Sequence, residues 1–285
     1  MKVIFSRKGS DSSAGGFPSL IFPDGTLLSI PIPSTQDIIL YSDLDFHYEG
    51  ESIQSILNDL TGKKIYNNGC WSACDFSEPE QRCHFDPMPI EQKARLAFGQ
   101  TGASESHLRG QCVDKGDIFI FYGWFKLTEK TNGHWRFKTG AKDIHLIWAW
   151  MRVGDIICLD TLDQRHSAIA QFPFLAHHPH LSEWRKAPNQ IYLSDKSGLL
   201  PYSDQQCLTD CENYQGRSTW VLPDCFNQPK SFTYLNNFSH SGEQVTIKVP
   251  GRGQEFVLDL EKIEEQMDRV QILNWLNELT DLHLR

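Results

Sequence analysis

The chain has 285 residues, 40% of them hydrophobic and 12% aromatic, with a formal net charge of −9 and a pI near 5.6. That much apolar material fills the core of one large domain and excludes a disordered chain. A protein that grips long duplex through many phosphates needs a basic face. The acidic total speaks against that footprint, though not against a nucleotide, an extruded base or one short basic contact. Trp and Phe are plentiful and Met is scarce, which suits a β-rich interior.

The opening MKVIFSRKGSDSS has three consecutive apolar residues and then charges, so it holds no signal-peptide core. No apolar run approaches a membrane span, and a cytoplasmic protein without membrane contact is expected. Residues 2–5 read as a short buried strand running into a Gly/Ser-rich turn over 6–16, a common setting for a ligand-facing loop. Pro23-Asp24-Gly25, between apolar runs at Leu20–Phe22 and Leu27–Ile32, predicts a hairpin. Ile53, Ile56, Leu57 and Leu60 at helical spacing, with Gly62 at the C-cap position, predict a helix over 51–60. Residues 67–90 read as a long irregular loop, followed by a short helix around 90–98.

The clearest β signal is 116–127, followed by a turn at Thr131-Asn132-Gly133, a run at His145–Met151 and another at Ile156–Leu159. Further strands are expected at Gln190–Ser194, Ser218–Leu222, Val245–Val249 and Phe256–Leu258. The last segment, 262–280, places Ile263, Met267, Val270, Leu273, Leu276 and Leu279 along one stripe, an amphipathic helix whose apolar side should dock on the core. With no repeat or linker to divide it, the chain reads as a single α/β domain over 1–285. The class is mixed α+β and β-rich, with a central, partly barrel-like sheet and a docked C-terminal helix.

Several ordered blocks together resemble one family. They begin with Phe5-Ser6-Arg7-Lys8-Gly9, Asp11-Ser12, Gly15-Gly16, Pro18-Ser19 and Pro23-Asp24-Gly25-Thr26. The central blocks are His84-Phe85-Asp86-Pro87, Ser106-His107-Leu108, Gly116-Asp117-Ile118-Phe119 and Phe121-Tyr122-Gly123-Trp124-Phe125. His178-Pro179-His180, Trp220-Val221-Leu222-Pro223 with Phe226, and Gly253-Gln254-Glu255-Phe256-Val257-Leu258-Asp259 close the series. Over essentially the whole chain this is similar to the nucleotide-modification-associated domain family, type 3. The resemblance implies a setting in DNA base hypermodification in bacteria and phages, without naming a reaction. Met88 follows His84-Phe85-Asp86-Pro87 where a second acidic residue is expected, and Gln111-Cys112 is a further departure.

Arg7, Lys8, Asp11 and Ser12 on the first turn combine cations with free backbone N–H groups and suit a phosphate. Asp86, His107, His180 and Glu255 are the candidate catalytic groups. His84 pairs with Asp86 in sequence, and His178 stands two residues from His180 on what reads as an extended segment. Gln100, Ser104 and Glu105 flank His107 in a loop that could contact a base edge, and Gln254 could bond a base or ribose. Arg7, Asp11, Asp86, His107 and His180 are expected to line one cleft, with His107 or His180 perturbed in pKa and Glu255 at the edge. Trp124, Phe125, Trp148 and Trp150 could stack on a base but read as core.

The cysteines offer Cys70-x3-Cys74 with Cys83-His84, and Cys207-x3-Cys211 with Cys225. Only half of each set has the tight spacing of structural zinc, so no metal is expected, and no cofactor is assigned. The functional expectation is a protein acting on or recognising a nucleotide or modified base, with other components of a DNA-modification system as partners. A non-catalytic PUA-like base-binding module stands as one alternative, since 116–159 resembles part of such a barrel. A second is an ADP-ribosyltransferase-like enzyme, from the order Arg7, Ser218-Thr219, Glu255. A third is a structural subunit of a modification or defence system.

Overall fold

The computed structural model describes residues 1–67, 69–78, 80–90, 95–251 and 255–284. It is mixed α+β, strand-rich and one compact domain, with a curled half-barrel sheet and a C-terminal helix. Across the main sheet the strands run Met88–Ile90, Arg95–Thr101, Asn189–Leu199, Ile144–Cys158, Ile118–Thr131, Lys2–Arg7 and Phe256–Asp259. The Lys2–Arg7 strand is parallel to Ile118–Thr131; the other neighbours along this path are antiparallel.

Strict alternation sorts each strand between two cores. Val3 and Phe5, with Ile118, Ile120 and Tyr122, face a cluster built on Trp220 and Phe256. Ile4, Phe119 and Phe121 face the inside of the curl with Phe98 and Tyr192. A strand buried on both faces reads as the continuous apolar run seen at residues 3–5. Register irregularities at Phe121/Tyr122 and across Arg152–Asp155 add local twist of the kind that curls a sheet. They also join the expected 145–151 and 156–159 runs into one strand, Ile144–Cys158. A three-stranded sheet, in the order Thr219–Pro223, Gln244–Lys248, Phe238–Ser241, flanks the main one.

The hairpin around Pro23-Asp24-Gly25 pairs Ser19–Ile21 with Leu27–Leu28. The first helix spans Ile53–Thr61, with Gly62 in the left-handed conformation at its end. The helix expected around 90–98 is corrected: Met88–Ile90 and Arg95–Thr101 are paired strands, with residues 91–94 outside the described ones. Leu96 and Phe98 enter one core and Ala97 the other, a period of two that four residues could not separate from a helix. The 67–90 segment is not wholly irregular either. Cys70–Ala73 pairs with Lys64–Asn67, and Cys83–His84 with Ile32–Pro33.

The C-terminal helix spans Gln266–Leu279, and its docking face differs from the expected stripe. Ile263 is buried in the turn that precedes it, while Ile272 and Leu276 carry the helical contact. Met267 is 66% and Val270 43% exposed. Because Ile263 lies outside the helix, its phase does not continue through it. At about 100° per residue, Met267 and Val270 point roughly 140° and 160° away from Ile272. Among the described residues, no helix is long and apolar enough to cross a membrane.

Candidate functional site

The curl brings the two ends of the sheet together, and side chains close the seam. Gln100, on the Arg95–Thr101 strand, donates through Nε2 to Glu255 Oε1 beside the far edge strand. Ser6 Oγ donates to the same oxygen at 3.2 Å. Lys8, just past the Lys2–Arg7 strand, lays its ammonium 4.2 Å from the centroid of Phe98 and 3.8 Å from Asp86 Oδ2. Phe98 and Gln100 are two residues apart on one strand and share a face, so the Lys8 and Glu255 contacts adjoin along the seam. The Lys8 backbone comes this close because residue 123 is glycine: a β-carbon there would stand 2.6 Å from the Lys8 carbonyl oxygen.

Asp86 stands where the Met88–Ala97 pairing gives out, and its Oδ1 accepts from the Gly99 amide at 2.8 Å. Its Oδ2 is buried without a hydrogen-bond partner, as is Glu255 Oε2. A buried polar atom left unpaired costs about 1–3 kcal/mol, more for a charged one, so each calls for a partner or a role.

Three imidazoles surround Asp86. His84 Nε2 is 3.8 Å and His180 Nε2 4.0 Å from Oδ2, and His178 Nε2 is 3.6 Å from Oδ1. Their hydrogen bonds fix their roles. His178 Nδ1 accepts from the His180 amide at 3.2 Å, so its proton sits on Nε2, which donates to the Ala97 carbonyl at 3.3 Å. His180 Nδ1 donates to Asn189 Oδ1 at 2.8 Å, while Asn189 Nδ2 donates to the His180 carbonyl at 2.8 Å. His84 Nδ1 lies 2.9 Å from Asp37 Oδ2 and 2.9 Å from Arg185 Nη2. The anionic Asp37 favours a proton on His84 Nδ1, with Arg185 then serving Asp37 at 3.6 Å; donation from Arg185 to Nδ1 favours the opposite tautomer. His180 therefore keeps its Nε2 lone pair free, and His84 does so in the tautomer that donates from Nδ1 to Asp37. Burial drives the pKa of His178 down to about 4 and that of His180 well below the ordinary histidine value, so both are neutral at pH 7.

His178 caps the 3-10 turn Pro179–Leu181 and His180 is its middle residue, which corrects the extended segment expected there; the turn aims both rings at Asp86. Gln100 and Glu105 likewise do not share a loop, since Gly102–Gly110 is a helix following the strand of Gln100. His107, on that helix, meets Thr233 Oγ1 at 3.2 Å and packs on Tyr234 with ring centroids 4.6 Å apart. Glu105 is buried and bonded to Arg109 at 2.8 Å and the Tyr192 hydroxyl at 3.1 Å.

On the first turn, Arg7 pairs with Asp11 at 3.2 Å. Asp11 Oδ1 also accepts from the Ser13 hydroxyl and amide and the Ala14 amide. Burial alone would raise the Asp11 pKa, but Ser13 and Arg7 outweigh it and leave it lowered. Ser12 Oγ accepts from Arg217 at 3.2 Å, whose guanidinium lies over Trp124 at 4.2 Å. Phe125 and Trp150 are core, whereas Trp124 and Trp148 are half-buried. Thr219 opens a strand of the smaller sheet, while Glu255 is tied to the main seam. Gln254 lies outside the described residues.

Sequence reasoning missed Asp37, Gly99, Arg185 and Asn189, which hold the imidazoles and the carboxylate in place. Asp37, Arg185 and Asn189 sit in or beside loops without periodic pattern, and their signal is a contact partner 9 to 101 residues away. The cysteines show one close thiol pair, Cys207 and Cys211, with sulfurs 3.6 Å apart. A different group suits a metal: ligand atoms of His84, Asp86 and His180 all lie within 4.8 Å of one another.

The family described as nucleotide modification associated domain 3 matches residues 2–259, a span that contains every residue of this cluster. That description implies involvement in nucleotide modification. No curated protein and no solved structure matches the chain.

Proposed function

We propose that this chain, which belongs to the nucleotide modification associated domain 3 family, acts chemically on a nucleotide or an extruded base held at the seam of the half-barrel. The observation that carries this reading is Asp86 Oδ2, a buried carboxylate oxygen without a hydrogen-bond partner, ringed by two imidazole nitrogens and an ammonium within 4.0 Å. A carboxylate kept bare in low dielectric is poised to take a proton or a cation. Lys8 is the cation at the seam available to a phosphate of such a ligand, and Gln100 with Glu255 offers polar contacts to a base edge. A small footprint of this kind agrees with the acidic total.

The test is a calorimetric titration of deoxynucleoside monophosphates and short single strands into the wild type, Lys8→Ala, Gln100→Ala and Asp86→Asn, with product analysis in parallel. Binding of at least one ligand, weakened by Lys8→Ala and Gln100→Ala, is expected. Product formation by the wild type is expected to vanish in Asp86→Asn. If no nucleotide binds, or all four proteins bind alike, the seam is not the site. Binding without turnover, unchanged in Asp86→Asn, would identify the non-catalytic base reader instead.

A further inference from the structure

We infer that His84 Nε2, His180 Nε2 and Asp86 Oδ2 form a site for one divalent first-row transition-metal ion, a two-histidine, one-carboxylate centre with a coordination position left open. This deepens the functional reading above and reverses the sequence expectation of no metal.

Three independent contacts orient the same three donor atoms. The Asn189 side chain takes the Nδ1 proton of His180, and the Asp37 carboxylate takes that of His84. A metal-binding imidazole needs its other nitrogen held by a hydrogen-bond acceptor in this way, which fixes the tautomer and turns the lone pair inward. The Gly99 amide occupies Asp86 Oδ1, which leaves Oδ2 as the free donor, and that oxygen is buried and unpartnered. His178 is excluded by the same logic: its Nδ1 accepts from a backbone amide, so its Nε2 carries a proton. It lies as close to the carboxylate as its neighbours and cannot ligate.

The spacings are those of a site that draws in slightly. The Oδ2–Nε2 separations of 3.8 Å and 4.0 Å exceed by about 0.3–1.0 Å the roughly 3.0–3.5 Å that bonds of about 2.0–2.2 Å impose. Two nitrogens and one oxygen favour a transition metal over magnesium or calcium, which take oxygen donors. Structural zinc is held by four protein ligands, so three indicate a centre that also takes water or substrate. His84 is the access side, with 16% of its side chain exposed against 1% for Asp86 and 2% for His180. Lys8 is the competing cation at Oδ2. Its long stem lets the ammonium withdraw when the ion enters.

The experiment strips the full-length protein with chelator and titrates cobalt(II), whose spectrum separates imidazole–carboxylate from thiolate ligation. One equivalent per chain is expected, with visible d–d absorption and no thiolate charge-transfer band. His84→Ala and His180→Ala should abolish binding, and Asp37→Asn or Asn189→Ala should weaken it about 10–100-fold, the usual effect of an outer partner. Lys8→Met should bind at least as tightly as the parent. Because buried-site variants can misfold, X-ray absorption on the cobalt-loaded wild type gives a second reading: nitrogen and oxygen neighbours without sulfur. Absence of stoichiometric binding, a sulfur shell, or binding that survives His180→Ala in a folded protein overturns the site. Nucleotide titration of the metal-free protein runs alongside. Nucleotide binding without metal binding defeats this inference alone, and metal binding without any nucleotide binding or turnover defeats the functional reading alone.

Discussion

Replacing Gly99 by alanine should disorganise the site without removing any polar group from it. The β-carbon would fall 2.2 Å and 2.3 Å from two ring carbons of His180 and 2.8 Å from its Nε2, against ordinary contacts of about 3.5–4.0 Å. The ring has to move by more than about 1 Å, and it is held by Asn189 at Nδ1 and, through its carbonyl, at the Asn189 amide nitrogen. Overpacking costs about 1–3 kcal/mol, and loss of one or two of those hydrogen bonds adds about 1 kcal/mol each. A destabilisation of about 2–5 kcal/mol follows, read as a lower midpoint in urea with an unchanged slope. Adding His180→Ala to Gly99→Ala should recover part of it, because the clash partner is gone. A coupling of about 0.5–3 kcal/mol in that double-mutant cycle is the expected signature. Gly99→Ala with parental stability, or strictly additive effects of the two changes, would refute the packing argument.

Arg7→Ala should weaken nucleotide or short single-strand binding by about 1.5–3 kcal/mol, the range for a hydrogen bond to a charged group; superimposable calorimetric curves would leave Arg7 a structural role on its turn. Burial raises the Glu105 pKa to about 7 despite Arg109 and Tyr192, so the folded state holds a proton there that the unfolded state releases near pH 4.5. Glu105 stability is thus fully present below about pH 4.5 and lost as pH rises through about 7, by roughly 3 kcal/mol; Glu105→Gln should flatten that decline in urea melts from pH 5 to 8, and an unaltered profile would count against it. Ile272→Ala or Leu276→Ala should cost about 2–5 kcal/mol, whereas Met267→Ala should stay within about 0.5 kcal/mol, as thermal denaturation would show. Affinity for long unmodified duplex should be weak and fall with salt; nanomolar binding at physiological salt would contradict the small footprint.

The strands with strict alternation and aromatic content were legible because burial on two faces writes itself into adjacent residues. So was the first helix, where spacing and Gly62 agree. The helix at Leu162–Gln171 was equally accessible, since Thr161 and Gln164 form a reciprocal cap, but its weakly apolar face hid it. The site divides along the same line. Asp86, His178 and His180 stand in short blocks whose residue types announce titratable chemistry. Asp37 and Asn189 carry no such mark, because an outer hydrogen-bond partner is defined by where the chain returns in space. The choice between His178 and His180 as ligand was beyond sequence altogether: it turns on which ring nitrogen meets the amide of residue 180.

The seam has a further consequence for how this protein can diversify. A backbone ladder commits every residue along it to a partner amide, so a change there disturbs the whole sheet. Here the circumference is completed by Gln100 with Glu255 and Lys8 with Asp86, neither of which the strand pairing requires. Drift at Gln100 can therefore alter how the seam closes while the strand framework stays fixed. The closing of the seam and the pairing of the strands are written in different residues.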